Sequence, residues 1–121
     1  MQELTLREIQ KRIWDNKLKK GFNTTDISKE FLYLTEELGE AIRAYRKDDK
    51  DELAEEIADL IIYSLGLFEI LGRDGYEEIM KKIEKNEKRE YQGEKGAFRQ
   101  LREDQKQSTP YQGNVQYGVK I

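Results

Sequence analysis

The chain has 121 residues, of which 36% are hydrophobic and 39% charged, and its formal net charge is −3. It contains no cysteine and no histidine, which excludes disulfides, thiol nucleophiles, Cys/His zinc sites and imidazole bases. The acidic balance disfavours nucleic acid as a partner, and no apolar run resembles a signal peptide or a membrane span. We therefore expect a cytoplasmic protein whose chemistry uses carboxylates, amines, hydroxyls or a hard metal ion.

Apolar residues recur at helical spacing in four consecutive segments, which predicts an all-α protein. The first helix begins after Thr5, in a capping-box sequence, and ends near Gly21. The next three are predicted from about Ile27 to Tyr45, Glu52 to Leu71 and Tyr76 to Glu90. Because the connections are short, the helices form an antiparallel bundle. Since a chain this small and this charged has little apolar material, we expect oligomerisation to complete the core.

The composition changes after residue 91, where glycines and the single proline occur among mostly polar neighbours. We therefore predict a domain over residues 1–91 and a C-terminal extension over 92–121 that is partly irregular or disordered. Residues 97–104 have the pattern of one or two helical turns. Residues 111–121 alternate as in a short strand or docking arm, although a disordered tail fits them equally.

Two pairs of acids flank the apolar stripes of neighbouring predicted helices. Glu37 and Glu40 lie to one side of the second stripe, and Glu56 and Asp59 to one side of the third. Folding the chain back near residue 48 sets Glu40 opposite Glu56 and Glu37 opposite Asp59. Either pair alone would more commonly be a solvated helix face. Together, four converging carboxylates repel one another unless a cation neutralises them, and protonation is the costlier alternative at neutral pH. An all-oxygen set suits Mg²⁺, with Mn²⁺ as a possible substitute.

Glu36-Glu37-Leu38-Gly39-Glu40, followed after fifteen residues by Glu56-Ile57-Ala58-Asp59, resembles the paired acidic motif of MazG-like nucleotide pyrophosphohydrolases. The sequence from Lys85 to Tyr91 resembles that family's lysine–asparagine element, and Ile9 to Phe22 resembles its first helix and turn. The resemblance covers about residues 4 to 91. It implies an all-α fold and hydrolysis of a nucleoside triphosphate between the α and β phosphates, giving the monophosphate and pyrophosphate.

The resemblance also assigns roles to residues. It implies metal ligation by Glu37, Glu40, Glu56 and Asp59, with a catalytic role for this set. Glu36 matches the motif but is predicted to point outwards, which leaves open a salt bridge, a subunit contact or help in positioning the attacking water. A triphosphate needs cationic donors and its base needs an aromatic partner. We expect substrate binding by Lys82, Lys85, Asn86, Lys88, Arg89, Trp14 and Phe22. The tyrosines Tyr33 and Tyr63 fall on the same sectors as the acids and are expected to wall the site.

Two other functions fit the same sequence features. One is hydrolysis of phosphoribosyl-ATP by a related helical family, and the other is a non-catalytic helical interaction protein. The expected partners are a nucleoside triphosphate and a second copy of the chain, as a homodimer or homotetramer. The motifs leave base and sugar selectivity and the number of metal ions open.

Overall fold

The computed structural model describes residues 2–89, 91–92 and 99–100. Four helices follow one another: α1 spans Leu6–Lys20, α2 Ile27–Arg46, α3 Lys50–Ile70 and α4 Gly75–Lys88. Each begins and ends within a few residues of its predicted bounds. The prediction of an all-α fold with four helices is confirmed.

Two short strands follow the last helix. Strand β1, Tyr91–Gln92, pairs antiparallel with β2, Arg99–Gln100, so that Tyr91 lies opposite Gln100. The prediction of helical turns over 97–104 is therefore wrong at Arg99–Gln100, because these two residues pair with β1 as a β-strand instead. The predicted strand, arm or disordered tail over 111–121 lies outside the described residues.

The chain forms two compact units, residues 1–78 and 79–121. The first contains α1, α2, α3 and the first turn of α4, and the second contains the rest of α4 and both strands. The predicted division at residue 91 stays a prediction.

Side-chain caps fix the helix starts that the sequence predicts. The Thr5 hydroxyl accepts from the Glu8 amide at 3.1 Å while the Glu8 carboxylate accepts from the Thr5 amide at 2.9 Å, which completes the capping box. The side chains of Asp26 and Asp49 cap α2 and α3 by accepting from the amides of residues three positions later. Each cap satisfies an amide that would otherwise have no partner.

Helices α2 and α3 form the antiparallel pair on which the acids lie. Residues 47–49 connect them, and Asp48 turns the chain with a φ of 57°. An aspartate tolerates this left-handed conformation better than most side chains do. The tight connection holds the carboxyl-terminal half of α2 beside the amino-terminal half of α3.

Among the residues whose burial is described, a small apolar core is formed by Ala41, Ala44, Leu65 and Leu67. Many large apolar side chains on the four helices remain exposed, among them Phe31 and Ile61, both more than half exposed. Within the described residues, no helix is long and apolar enough to cross a membrane.

Polar side chains join α1 to its neighbours. The amide nitrogen of Gln10 donates to the Glu69 carboxylate at 3.1 Å and to the Arg73 carbonyl at 3.0 Å, and its amide oxygen accepts from the Gly75 amide at 2.8 Å. Farther along α1, Lys17 lies against Gly66. Since later α1 residues meet earlier α3 residues, the two helices run antiparallel.

Candidate metal centre

Three of the predicted ligands meet between α2 and α3. Glu37, Glu56 and Asp59 each offer a carboxylate oxygen, and these oxygens all lie within 4.8 Å of one another. Glu37 projects from the middle of α2, and the other two lie three residues apart on α3, where side chains share a face. The helical hairpin thus brings together acids that are far apart in sequence.

Two oxygens of this carboxylate cluster, Glu37 Oε2 and Glu56 Oε2, are buried without a hydrogen-bond donor among the described residues. A buried carboxylate oxygen without a donor or a cation is costly. A divalent cation would satisfy both oxygens and neutralise the charge, and carboxylate oxygens are what hard cations prefer. The donor set therefore fits a divalent metal ion.

The crowding of negative charge at the cluster shifts the pKa values of its carboxyl groups. The pKa of Glu37 is raised to about 8, first because its carboxyl shares a hydrogen bond with Glu56, then by burial and by the charges of Glu40 and Asp59. The hydrogen bond from Glu37 lowers the pKa of Glu56, but burial and the nearby Glu40 and Asp59 raise it by more. The pKa of Glu56 is therefore raised overall. When no cation is bound, Glu37 and Glu56 share a proton, which reduces the negative charge of the cluster.

The fourth predicted ligand, Glu40, lies at the edge of the cluster. It is outside the group of three whose oxygens lie within 4.8 Å, and its Oε1 is 3.9 Å from Arg43 Nη2. Its charge nevertheless raises the pKa values of Glu37 and Glu56, so its carboxylate is near theirs. Glu36 is exposed on α2, in keeping with its predicted outward direction.

A cavity of about 650 Å³ between α1 and α3 adjoins the cluster, since Asp59 forms part of its wall. The rest of the wall is mainly apolar, with Leu4, Ile9, Ile13, Phe22 and Ile62. Such a cleft, apolar with a few polar groups, is typical of sites for small organic ligands. The remaining polar lining comes from Arg12, Asn16, Lys17 and Tyr63.

Of the two aromatic residues predicted to contact the base, one lines this cavity and the other does not. Phe22 lines it, whereas Trp14 is half-buried on α1 and does not. Tyr63 lines it as well and packs against Tyr33, with ring centroids 5.9 Å apart. Burial and then the nearby carboxylates of Glu37, Glu30 and Asp59 raise the pKa of Tyr63, which keeps its hydroxyl protonated.

The predicted phosphate-binding group lies at the end of α4 and belongs to the second unit. There, Asn86 Oδ1 accepts from Arg89 Nη1 at 3.0 Å, while Arg89 Nε is buried without a partner among the described residues. Lys85 and Lys88 are exposed in the last turn, and Lys82, also exposed, makes an interaction of its own. Phosphate binding by this group stays a prediction.

Sequence reasoning missed a buried ion pair behind the cavity. Lys17 Nζ donates to Glu30 Oε1, and Asn23 Nδ2 donates to Glu30 Oε2 at 2.8 Å and to the Asp26 carbonyl at 2.8 Å. Glu30 is only 1% exposed. Together with Phe22, Tyr33 and Tyr63, this ion-pair network also lines a second cavity of about 510 Å³. Lys17 belongs to the segment Ile9 to Phe22 that resembles the family's first helix and turn, but nothing in the local sequence predicts Glu30 as its partner.

Arg12 and Asn16 were missed too, although a signal for them exists. They lie four residues apart on α1, next to the apolar Ile9 and Ile13, so helical geometry alone places all four along one side.

The fold and the site thus define an all-α protein with a carboxylate centre beside an apolar cavity. The sequence profile of the MazG-like family matches residues 29–103, and the chain belongs to this family. The match includes α3 and all of α2 except its first two residues, with all four predicted ligands. Comparison with curated proteins and with solved structures gives no match.

Proposed function

We propose that the protein is a Mg²⁺-dependent nucleotide pyrophosphohydrolase that cleaves nucleoside triphosphates between the α and β phosphates. The observation that carries the proposal is the pair of buried oxygens, on Glu37 and Glu56, that meet Asp59 without a donor. Membership of the MazG-like family supports the class of reaction. A role in clearing the nucleotide pool is part of the proposal.

Glu37, Glu56 and Asp59 would hold the cation, with Glu40 joining them from the edge of the cluster. When bound, Mg²⁺ supplies charge neutralisation at the phosphates and lowers the pKa of a coordinated water. A carboxylate of the cluster would orient the attacking water and accept its proton. No covalent nucleophile is required, which agrees with the absence of cysteine and histidine.

The adjoining cavity would receive the nucleoside, with Phe22 as the aromatic partner of the base. Basic donors for the triphosphate are proposed at the end of α4, at Lys82, Lys85, Lys88 and Arg89, with Asn86 beside them. These cations would balance the repulsion between the carboxylates and the anionic substrate.

A product assay tests the proposal. The protein is incubated with each common NTP and dNTP and with phosphoribosyl-ATP, with and without Mg²⁺, and pyrophosphate and monophosphate are measured. We expect both products from at least one NTP or dNTP, and only with the metal. Release from phosphoribosyl-ATP alone would assign the other reaction, and no release from any substrate would refute the proposal.

Self-association is a second part of the proposal. Phe31, Leu38, Ile42 and Tyr45 recur along one side of α2, and each is at least 45% exposed. A homodimer or homotetramer would bury this stripe. Light scattering at micromolar concentration should give at least twice the monomer mass and should give the monomer for Ile42→Glu; a monomeric wild-type protein would refute this part.

A further inference from the structure

The cavity beside the carboxylate cluster contains two polar side chains that the fold itself does not use. Arg12 and Asn16 both line it, and neither forms a hydrogen bond or ion pair with any described residue. Neighbouring polar groups on α1 do have partners: Lys11 pairs with Asp15 at 3.1 Å, and Lys17 with Glu30. An arginine without a carboxylate partner, in a chain with 25 acids, is available to a ligand.

The register of α1 against α3 places the backbone of Arg12 away from the level of the metal ligands. On α1 it stands between Gln10, whose amide bonds Glu69, and Lys17, which packs on Gly66. These two α3 residues follow Asp59 by seven and ten positions, so Arg12 is level with a point about 10 to 15 Å along α3 from Asp59. A nucleotide whose phosphates are bound at Asp59 would extend its base, and not its phosphates, towards Arg12.

The two side chains offer different hydrogen-bonding groups to a base. A guanidinium only donates, so it matches a carbonyl oxygen and faces an exocyclic amine unfavourably. A carboxamide both donates and accepts, and its rotation adapts it to either kind of base edge. Of these two residues, Arg12 discriminates between bases, and Asn16 can hydrogen-bond to either kind of base.

We propose that Arg12, supported by Asn16, determines base selectivity and favours bases with a carbonyl oxygen at purine C6 or pyrimidine C4 (guanine, hypoxanthine, uracil and thymine) over adenine and cytosine, which carry an amino group at that position. The kinetic test of this inference rests on the proposed function, but a measurement of nucleotide binding tests the inference without hydrolysis. Arg12 and Asn16 are both exposed at the cavity, so the selectivity arises from the hydrogen bond that a matched base gains and an unmatched base does not.

Two substrate pairs isolate the effect, because the members of each differ only at the relevant edge of the base. These are inosine and adenosine triphosphate, and uridine and cytidine triphosphate. For the wild-type protein with Mg²⁺, kcat/KM should favour the keto member of each pair by about tenfold, the usual discrimination of a matched arginine contact. Arg12→Gln should reduce both ratios to about threefold or less, because a carboxamide also accepts from an amine.

Lys11→Gln is the matched control, since Lys11 is one position away on α1, its replacement changes the charge equally, and it does not line the cavity. It should leave both ratios unchanged. Unchanged ratios in Arg12→Gln, or an equal loss on all four substrates, would overturn the proposal, the latter because it indicates a phosphate contact. Wild-type preference for the amino members would overturn it as well.

Equilibrium binding of the same four nucleotides by calorimetry, in Mg²⁺, separates this inference from the proposed function. If no nucleotide is hydrolysed but the keto members bind more tightly and Arg12→Gln removes the difference, the function fails and the inference stands. If hydrolysis occurs without base preference, the function stands and the inference fails. Absence of both hydrolysis and preferential binding refutes both.

Discussion

Glu37 and Glu56 face each other across the α2–α3 pair, and each has one buried carboxylate oxygen that no donor in the described part of the chain reaches. Asp59 completes a group of three whose oxygens lie within 4.8 Å. In the absence of a cation, this arrangement is stabilised only by protonation. The first two predictions follow from that fact.

Removing a ligand charge should abolish activity and leave the fold intact. Glu37→Gln and Asp59→Asn each delete a cation ligand, and we expect activity to fall at least about 100-fold, since even groups that only support a ligand contribute 10- to 100-fold. Glu55→Gln is the control, because Glu55 is exposed next to Glu56 in sequence. Circular dichroism checks folding, and near-normal activity in both ligand variants would exclude the assignment.

The stability of the metal-free protein should fall as the pH rises. The raised pKa of Glu37, about 8, means that the folded state holds a proton that the unfolded state releases near pH 4.5. This stabilisation is complete below pH 4.5 and is lost as pH rises to about 8. We expect the Tm in EDTA to drop by on the order of 5 °C between pH 5 and pH 8.5.

Mg²⁺ should remove most of that pH dependence, because the cation replaces the proton, and Glu37→Gln should remove it without metal. Differential scanning fluorimetry measures both effects. A Tm in EDTA that rises over this range in the wild-type protein, but not in the variant, would contradict the sign of the pKa shift.

Gly75 should tolerate no side chain. A Cβ there would lie 2.5 Å from Gln10 Oε1 and 3.0 Å from carbons of both Leu65 and Phe68. Gly75→Ala should therefore destabilise by about 1–3 kcal/mol. Gly39→Ala is the matched control on α2, with nothing within 4 Å of the added carbon, and should be neutral or stabilise by up to about 1 kcal/mol. Urea unfolding compares them, and equal stability of the two variants would show that the Gln10 contact is not tight.

The Lys17–Glu30 ion pair should be strongly coupled. Lys17→Met leaves a buried carboxylate and Glu30→Gln leaves a buried ammonium, so each should cost about 3–5 kcal/mol. The double variant buries no unpaired charge and should be more stable than either single variant. Additive losses in a double-mutant cycle would indicate that the two groups act independently.

The features that the sequence predicts well are those set by local geometry. Helical spacing and capping residues such as Thr5 and Asp26 place the helices, and the short connection at Asp48 places Glu37 beside Glu56 and Asp59. The roles of Lys17 and Glu30 depend on the packing of α1 against α2 and α3, which no local pattern encodes. Arg12 is intermediate: its side of α1 is predictable, but the cavity that it lines exists only once α3 is in place.

The central claim is tested most directly by following the products with ³¹P NMR during incubation of the wild-type protein with a hydrolysed NTP and Mg²⁺. We expect resonances of the nucleoside monophosphate and pyrophosphate to grow together, and to be absent in EDTA and in Glu56→Gln. Growth of nucleoside diphosphate and orthophosphate, or equal rates in Glu56→Gln, would contradict the account.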